Sequence, residues 1–191
     1  MNPIELTAAI FGFICVYLTT RQNIYCWPAG LIQVSLYIIV FYEAKLYSDV
    51  ILHIIYVILQ IYGWYYWLHG DHHHQAVVTR LSLTLLIIWV VIGLIAAAIW
   101  GTIMYTYTDA ALPYPDAFII AMSLIGQWLM AKKKIENWYF WIAVDVVAIA
   151  VYAVKELYVT SVLYFTFLII CLYGLREWHS SFLKLKDVKS F

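Results

Sequence analysis

The chain has 191 residues, of which 65% are hydrophobic and 12% charged, with a mean hydropathy of +0.85. Eleven basic and eleven acidic side chains balance to a formal net charge of zero. This composition excludes a soluble globular domain and gives no pull toward nucleic acid, so the expectation is an all-α integral membrane protein.

In chain order, apolar runs long enough to cross about 30 Å of hydrocarbon occupy residues 4–20, 27–43, 48–68, 81–104, 115–131, 138–154 and 157–178. Short polar or turn-like breaks separate them: 21–23, 43–49, 69–75, 108–116, 132–137 and 154–157. Helices are the expected solution, since in lipid each segment must satisfy its own backbone polar groups. The first run has no basic stretch before it and no clear cleavage pattern, so it is read as a span rather than a signal peptide. Cys15, Cys26 and Cys171 are odd in number and lie in or beside apolar runs, which gives neither a disulfide framework nor a metal spacing.

Lysine and arginine set the orientation. With the N-terminus outside, Arg21, Arg80, Lys132, Lys133, Lys134, Arg176, Lys184, Lys186 and Lys189 fall on the cytoplasmic side, and only Lys45 and Lys155 fall outside. The C-terminus, with its basic tail, is then cytoplasmic. Sliding the chain by 111 positions lays Arg21–Trp67 over Lys132–Trp178 without a gap and pairs Trp27 with Trp138, Tyr62-Gly63 with Tyr173-Gly174, and Trp67 with Trp178. The expected organisation is one transmembrane domain over 1–191: a three-helix repeat at 4–68, a linking helix at 81–104 and a second repeat at 115–178. A single linking span returns the chain to its starting side, so this 3+1+3 arrangement makes the repeats parallel, a known transporter design. The last span carries no lysine for a Schiff base, which argues against a seven-helix retinal protein.

The sixth span holds the most informative residues. Trp138, Trp141, Asp145 and Tyr152 recur at offsets that bring them to one helical stripe. A carboxylate inside the hydrocarbon costs about 2.5 to 3.5 kcal/mol on insertion scales, so Asp145 is expected to face a cavity or partner. Trp138, at the inner boundary, suits an interfacial anchor as well as a ligand contact. The third span sets His53, Tyr56, Gln60, Trp64 and Trp67 on a similar stripe, the seventh offers Tyr164 and Cys171, the second Gln33, and the fifth Ser123 and Gln127. Aromatic faces, amides and one carboxylate suit a flat cationic heterocycle, with Asp145 balancing its charge. The substrate-contact set is therefore Trp138, Trp141, Asp145, Gln127, Gln60, His53, Trp64, Tyr164, Gln33 and Tyr152.

The His72–His74 run is read as a solvated loop rather than a metal site. No Gly-rich phosphate loop, Ser-His-Asp set or HExxH occurs, so neither an enzyme nor ATP-powered transport within this chain is expected, and no cofactor or catalytic residue is assigned.

The runs IENWYFWIAVD at 135–145 and LYSDVILHIIYVILQIYGWYYW at 46–67 resemble the PnuC vitamin transporters. The resemblance implies a 3+1+3 helical fold and facilitated-diffusion uptake of nicotinamide riboside across the bacterial inner membrane. It also implies trapping of the substrate by a cytoplasmic kinase, and a homotrimer. Relatives in the same family carry thiamine or riboflavin, and thiamine is also a flat cation. Two alternatives differ in class: a substrate-capture subunit of an ATP-driven importer, and proton coupling through Asp145 or His53.

Overall fold

The computed structural model describes residues 3–43, 45, 47–70 and 76–189; the His72–His74 run lies outside them. Among the described residues the chain forms seven helices and no named strand: α1 (Pro3–Thr20), α2 (Cys26–Glu43), α3 (Tyr47–His69), α4 (Leu83–Tyr107), α5 (Pro113–Ala131), α6 (Asn137–Val154) and α7 (Tyr158–Lys189). These bounds follow the apolar runs closely, with one exception. α7 continues eleven residues beyond the expected end at 178. Residues 179–189 contain no glycine or proline and are rich in leucine and lysine, so falling hydropathy ended the apolar run there without ending the helix.

Six of the helices are long and apolar enough to cross a membrane, and α5 is not among them. Its 19 residues include Pro113, Pro115, Asp116, Ser123 and Gln127, which lower its hydropathy. Apolar side chains such as Ile87, Val91, Leu94 and Ile95 of α4 point outward, as lipid-facing surfaces require.

The chain divides into two compact units, Met1–Val78 with Ala131–Lys133, and Thr79–Met130 with Lys134–Phe191. In the first, α1 packs on α2 and α2 on α3. In the second, α6 packs on α7. There, α4 also turns Gly93, Ala97 and Gly101 inward at four-residue spacing, where Met122 and Ile125 of α5 approach Gly93 and Tyr114 approaches Gly101. Met122, Ile125, Leu129, Phe140 and Val144 form the core of this unit, with Trp89, Trp128 and Trp141 packed around it.

Several local geometries occur twice, 111 residues apart. Gln22 and Lys133 both adopt positive φ (54° and 53°), as do Lys45 and Glu156 (59° each). The amides after the first pair close their helices in the same way: Asn23 N–H donates to Leu18 O and Lys134 N–H to Leu129 O, both at 2.9 Å. The next helix starts alike in each case, with Trp27 N–H donating to Ile24 O and Trp138 N–H to Ile135 O. Trp27 is wedged against Gly63, and Trp138 against Gly174, so closely that a side chain at either glycine would collide with the indole. Each wedge meets a second indole edge-on: Trp27 with Trp67 at 5.3 Å and 86°, Trp138 with Trp178 at 5.5 Å and 90°.

The α5–α6 loop is fastened by its charges. In the first unit, Lys132 Nζ lies over the rings of Tyr62 and Tyr66, and Lys133 Nζ donates to Ala76 O at 2.8 Å and lies over Trp67. Burial pushes the Lys133 ammonium down to a pKa of about 8. In the second unit, Ile135 N–H donates to Thr79 O, while the buried Glu136 carboxylate accepts from Leu81 N–H and pairs with Arg80 at 3.5 Å.

Candidate functional site

Hydrophobic helices in lipid expose apolar side chains at little cost, so a polar group turned inward signals either a helix contact or a ligand contact. The second unit contains the strongest such group. Asp145 is 4% exposed and lies on the α6 face toward α7, where the Cys171 thiol hydrogen-bonds to its carboxylate. Its other oxygen, Oδ2, is buried with no hydrogen-bond partner. One helical turn earlier, on a similar face of α6, Trp141 borders α5: the Cβ of any residue replacing Gly126 would come within 3.3 Å of its indole. The missing side chain at 126 thus leaves room for the ring beside the α5 backbone. Gln127 follows on α5, buried, with its Nε2 also lacking a partner. A ring face, a carboxylate oxygen and an amide donor therefore occur on adjoining turns of α5 and α6.

The remaining expected residues of this unit fall elsewhere. Tyr152 and Tyr164 stack at 5.2 Å, and Tyr164 meets Phe167 edge-on, forming an aromatic group at the far end of α6. Trp138 is 1% exposed and sits in the Gly174 wedge, so its observed surroundings are those of a packing residue rather than an exposed boundary anchor. Its indole N–H has no acceptor, and the same holds for Trp27 in the first unit.

In the first unit Gln60 is 4% exposed, packs directly on Gly30 and hydrogen-bonds Cys15, leaving Oε1 without a partner. Gln33 packs on Gly12, where a Cβ would lie 3.1 Å from its Nε2. Trp64 is half-buried. His53 is about 10 Å along α3 from Gln60 and packs among Tyr37, Phe41 and Tyr56, with ring centroids 5.8, 4.8 and 5.7 Å away. Its Nδ1 is 2.9 Å from Asp49 O, a contact that requires the nitrogen to donate.

Sequence reasoning passed over Gly126 and Gly30, whose role is to leave space, and Asn137, which is fully buried and donates to Lys134 O at 2.6 Å. Asn137 carries a legible signal, a polar residue immediately before the tryptophan that opens α6. The glycines carry none, since spacing on one helix does not reveal what its neighbour needs room for.

A family model described as nicotinamide mononucleotide transporter matches residues 2–180. The nicotinamide riboside transporter PnuC of Escherichia coli (strain K12) is 24% identical over 95% of this chain and 87% of its own length. The riboflavin/roseoflavin transporter RibM of Streptomyces davaonensis is 24% identical over 91% of this chain and 83% of its own. Among solved structures, the crystal structure of the vitamin B3 transporter PnuC superposes with a TM-score of 0.72 and 26% identity, covering 94% of this chain and 83% of that one. The chain thus belongs to the nicotinamide mononucleotide transporter family that includes PnuC, as a multi-pass transporter of the bacterial inner membrane and not an enzyme.

Proposed function

We propose that the chain carries nicotinamide riboside inward by facilitated diffusion and that a cytoplasmic kinase traps the product by phosphorylation. The observation that carries this reading is the unpartnered oxygen of buried Asp145, close in sequence and on a similar face to the Trp141 ring. A pyridinium ring stacks on an indole, and its charge offsets that of a carboxylate that has no cationic partner among the described residues. α5 and α6 contain no lysine or arginine, which favours the riboside over a mononucleotide bearing a phosphate. In the second unit, Gln127, Trp141, Asp145, Tyr152 and Tyr164 are assigned to substrate contact; in the first, Gln33, Gln60, His53 and Trp64. Trp138 belongs to the assignment through its free indole N–H.

The same reading places the N-terminus outside, with all seven helices crossing. At 1.5 Å per residue the 19 residues of α5 reach roughly 28 Å. The recurrence of turns and wedges at an offset of 111 supports parallel three-helix repeats joined by α4. Lys155, one of the two outside lysines, pairs with Asp116 at 3.0 Å, which blunts its weight in the orientation rule. The proposed homotrimer rests on family resemblance alone.

Purified protein in liposomes, without ATP or any partner, is expected to equilibrate labelled nicotinamide riboside and stop at equal concentrations. Accumulation driven by an imposed proton or sodium gradient would overturn passive transport. Absence of any flux would favour a capture subunit. Competition by riboflavin and thiamine in the same vesicles decides the substrate.

A further inference from the structure

We propose that Cys171 is a positioning residue for substrate selectivity: its thiol holds one side of the Asp145 carboxylate so that Oδ2 is presented to the positive ring of the ligand. This deepens the reading above and rests on it. Asp145 and Cys171 are both buried, on α6 and α7, and the thiol is the partner found for the carboxylate. A carboxylate has about four lone-pair sites, and a thiol is a weak donor. One such bond fixes the rotamer without neutralising the group, and Oδ2 stays buried and unpaired. A lysine or arginine in place of the thiol would quench the charge, and an alanine would let the carboxylate rotate toward backbone or neighbouring side chains.

The first unit repeats the arrangement with different groups. There the sulfur of a buried cysteine, Cys15, accepts from the Gln60 amide, the reverse of the donor role of Cys171, and again one polar atom, Oε1, is left without a partner. The position matching Cys171 at the 111 offset is Gln60 itself, and the position matching Asp145 is Val34, so the thiol sits on a different helix in each unit. The recurring feature is therefore the chemistry, a weak thiol partner beside a buried polar group that keeps one atom free, and not an inherited residue.

The test compares affinity for nicotinamide riboside with affinity for its uncharged reduced form, in wild type, Cys171→Ala, Cys171→Ser and Asp145→Asn. Cys171→Ala is expected to lower the charged-to-uncharged affinity ratio three- to tenfold, and Cys171→Ser, which keeps a donor, to restore most of it. The infrared S–H band lost in Cys171→Ala should shift to higher frequency in Asp145→Asn, because the acceptor weakens; this readout needs no ligand. An unchanged S–H band, an unchanged ratio in Cys171→Ala alongside a collapsed ratio in Asp145→Asn, or a serine variant that behaves like alanine would each overturn the positioning role alone. An unchanged ratio in Asp145→Asn, or wild-type protein that does not bind the riboside, would instead remove the charge-balance reading and the positioning role with it.

Discussion

The two units share their turns and their tryptophan wedges, yet their interiors diverge at the positions that matter for ligand chemistry. Where the first unit has Gly30 with Gln60 packed on it, the second has Trp141 at the position matching Gly30, and its bulk is received by Gly126, which matches Cys15. Where the first has apolar Val34, the second has Asp145. Space given up on one helix in one unit is given up on a different helix in the other. The lesson is that the frame tolerates exchange of a large and a small residue across a helix pair, provided the pair still fills the gap. The wedge, where a ring lies on bare backbone, admits no such exchange.

The largest effect should come from the wedges. Gly63→Ala and Gly174→Ala each force an indole off the backbone, an overpacking penalty of about 1 to 3 kcal/mol or more, and both should lower the melting temperature in detergent by similar amounts. Sensitivity in only one unit would break the equivalence of the two frames.

Trp141→Ala comes next. Loss of a stacking face from a desolvated cation should weaken riboside binding by about 1 to 2 kcal/mol, near tenfold. Trp89→Ala, which also trims the second unit's core, should change melting more than binding. Equal losses of affinity at both positions would mean that the second unit responds through folding and holds no ring-binding face.

A smaller effect separates the matched turn residues Gln22 and Lys133. The Lys133 pKa is lowered from 10.5 to about 8 by burial, so the folded state releases its proton first. Between those values the unfolded chain binds more protons, and stability rises with pH; the full cost of the buried charge is present below 8. Wild type should therefore gain melting temperature relative to Lys133→Met as pH rises through this window, whereas Gln22→Met should show no such trend. A gap independent of pH would show that the ammonium is solvated.

The smallest effect concerns the other turn pair. Lys45→Gly and Glu156→Gly remove a side chain from left-handed backbone, a conformation that costs non-glycine residues about 1 to 2 kcal/mol. Each should raise stability by a few tenths of a kcal/mol to about 1 kcal/mol. Opposite signs at the two positions would show that the turns, though alike in φ, are loaded differently.

The sequence by itself determined the membrane class, the helix positions to within a few residues except at the end of α7, and Asp145, Gln60 and Gln127 as polar groups to be explained. It could do so because hydropathy, turn chemistry and the 3.6-residue period are local properties of each segment. Only the tertiary structure decided which neighbour each stripe meets. Trp138 and Trp141 lie 60° apart on one helix, yet the first fills a wedge against Gly174 on α7 while the second stands over Gly126 on α5. Cys171 became the partner of Asp145, and Lys133 a buried cation on Trp67, for the same reason. A helix's period fixes the angle at which a side chain leaves its axis, but the packing of a second helix, set by small residues far away in the chain, fixes what lies at that angle.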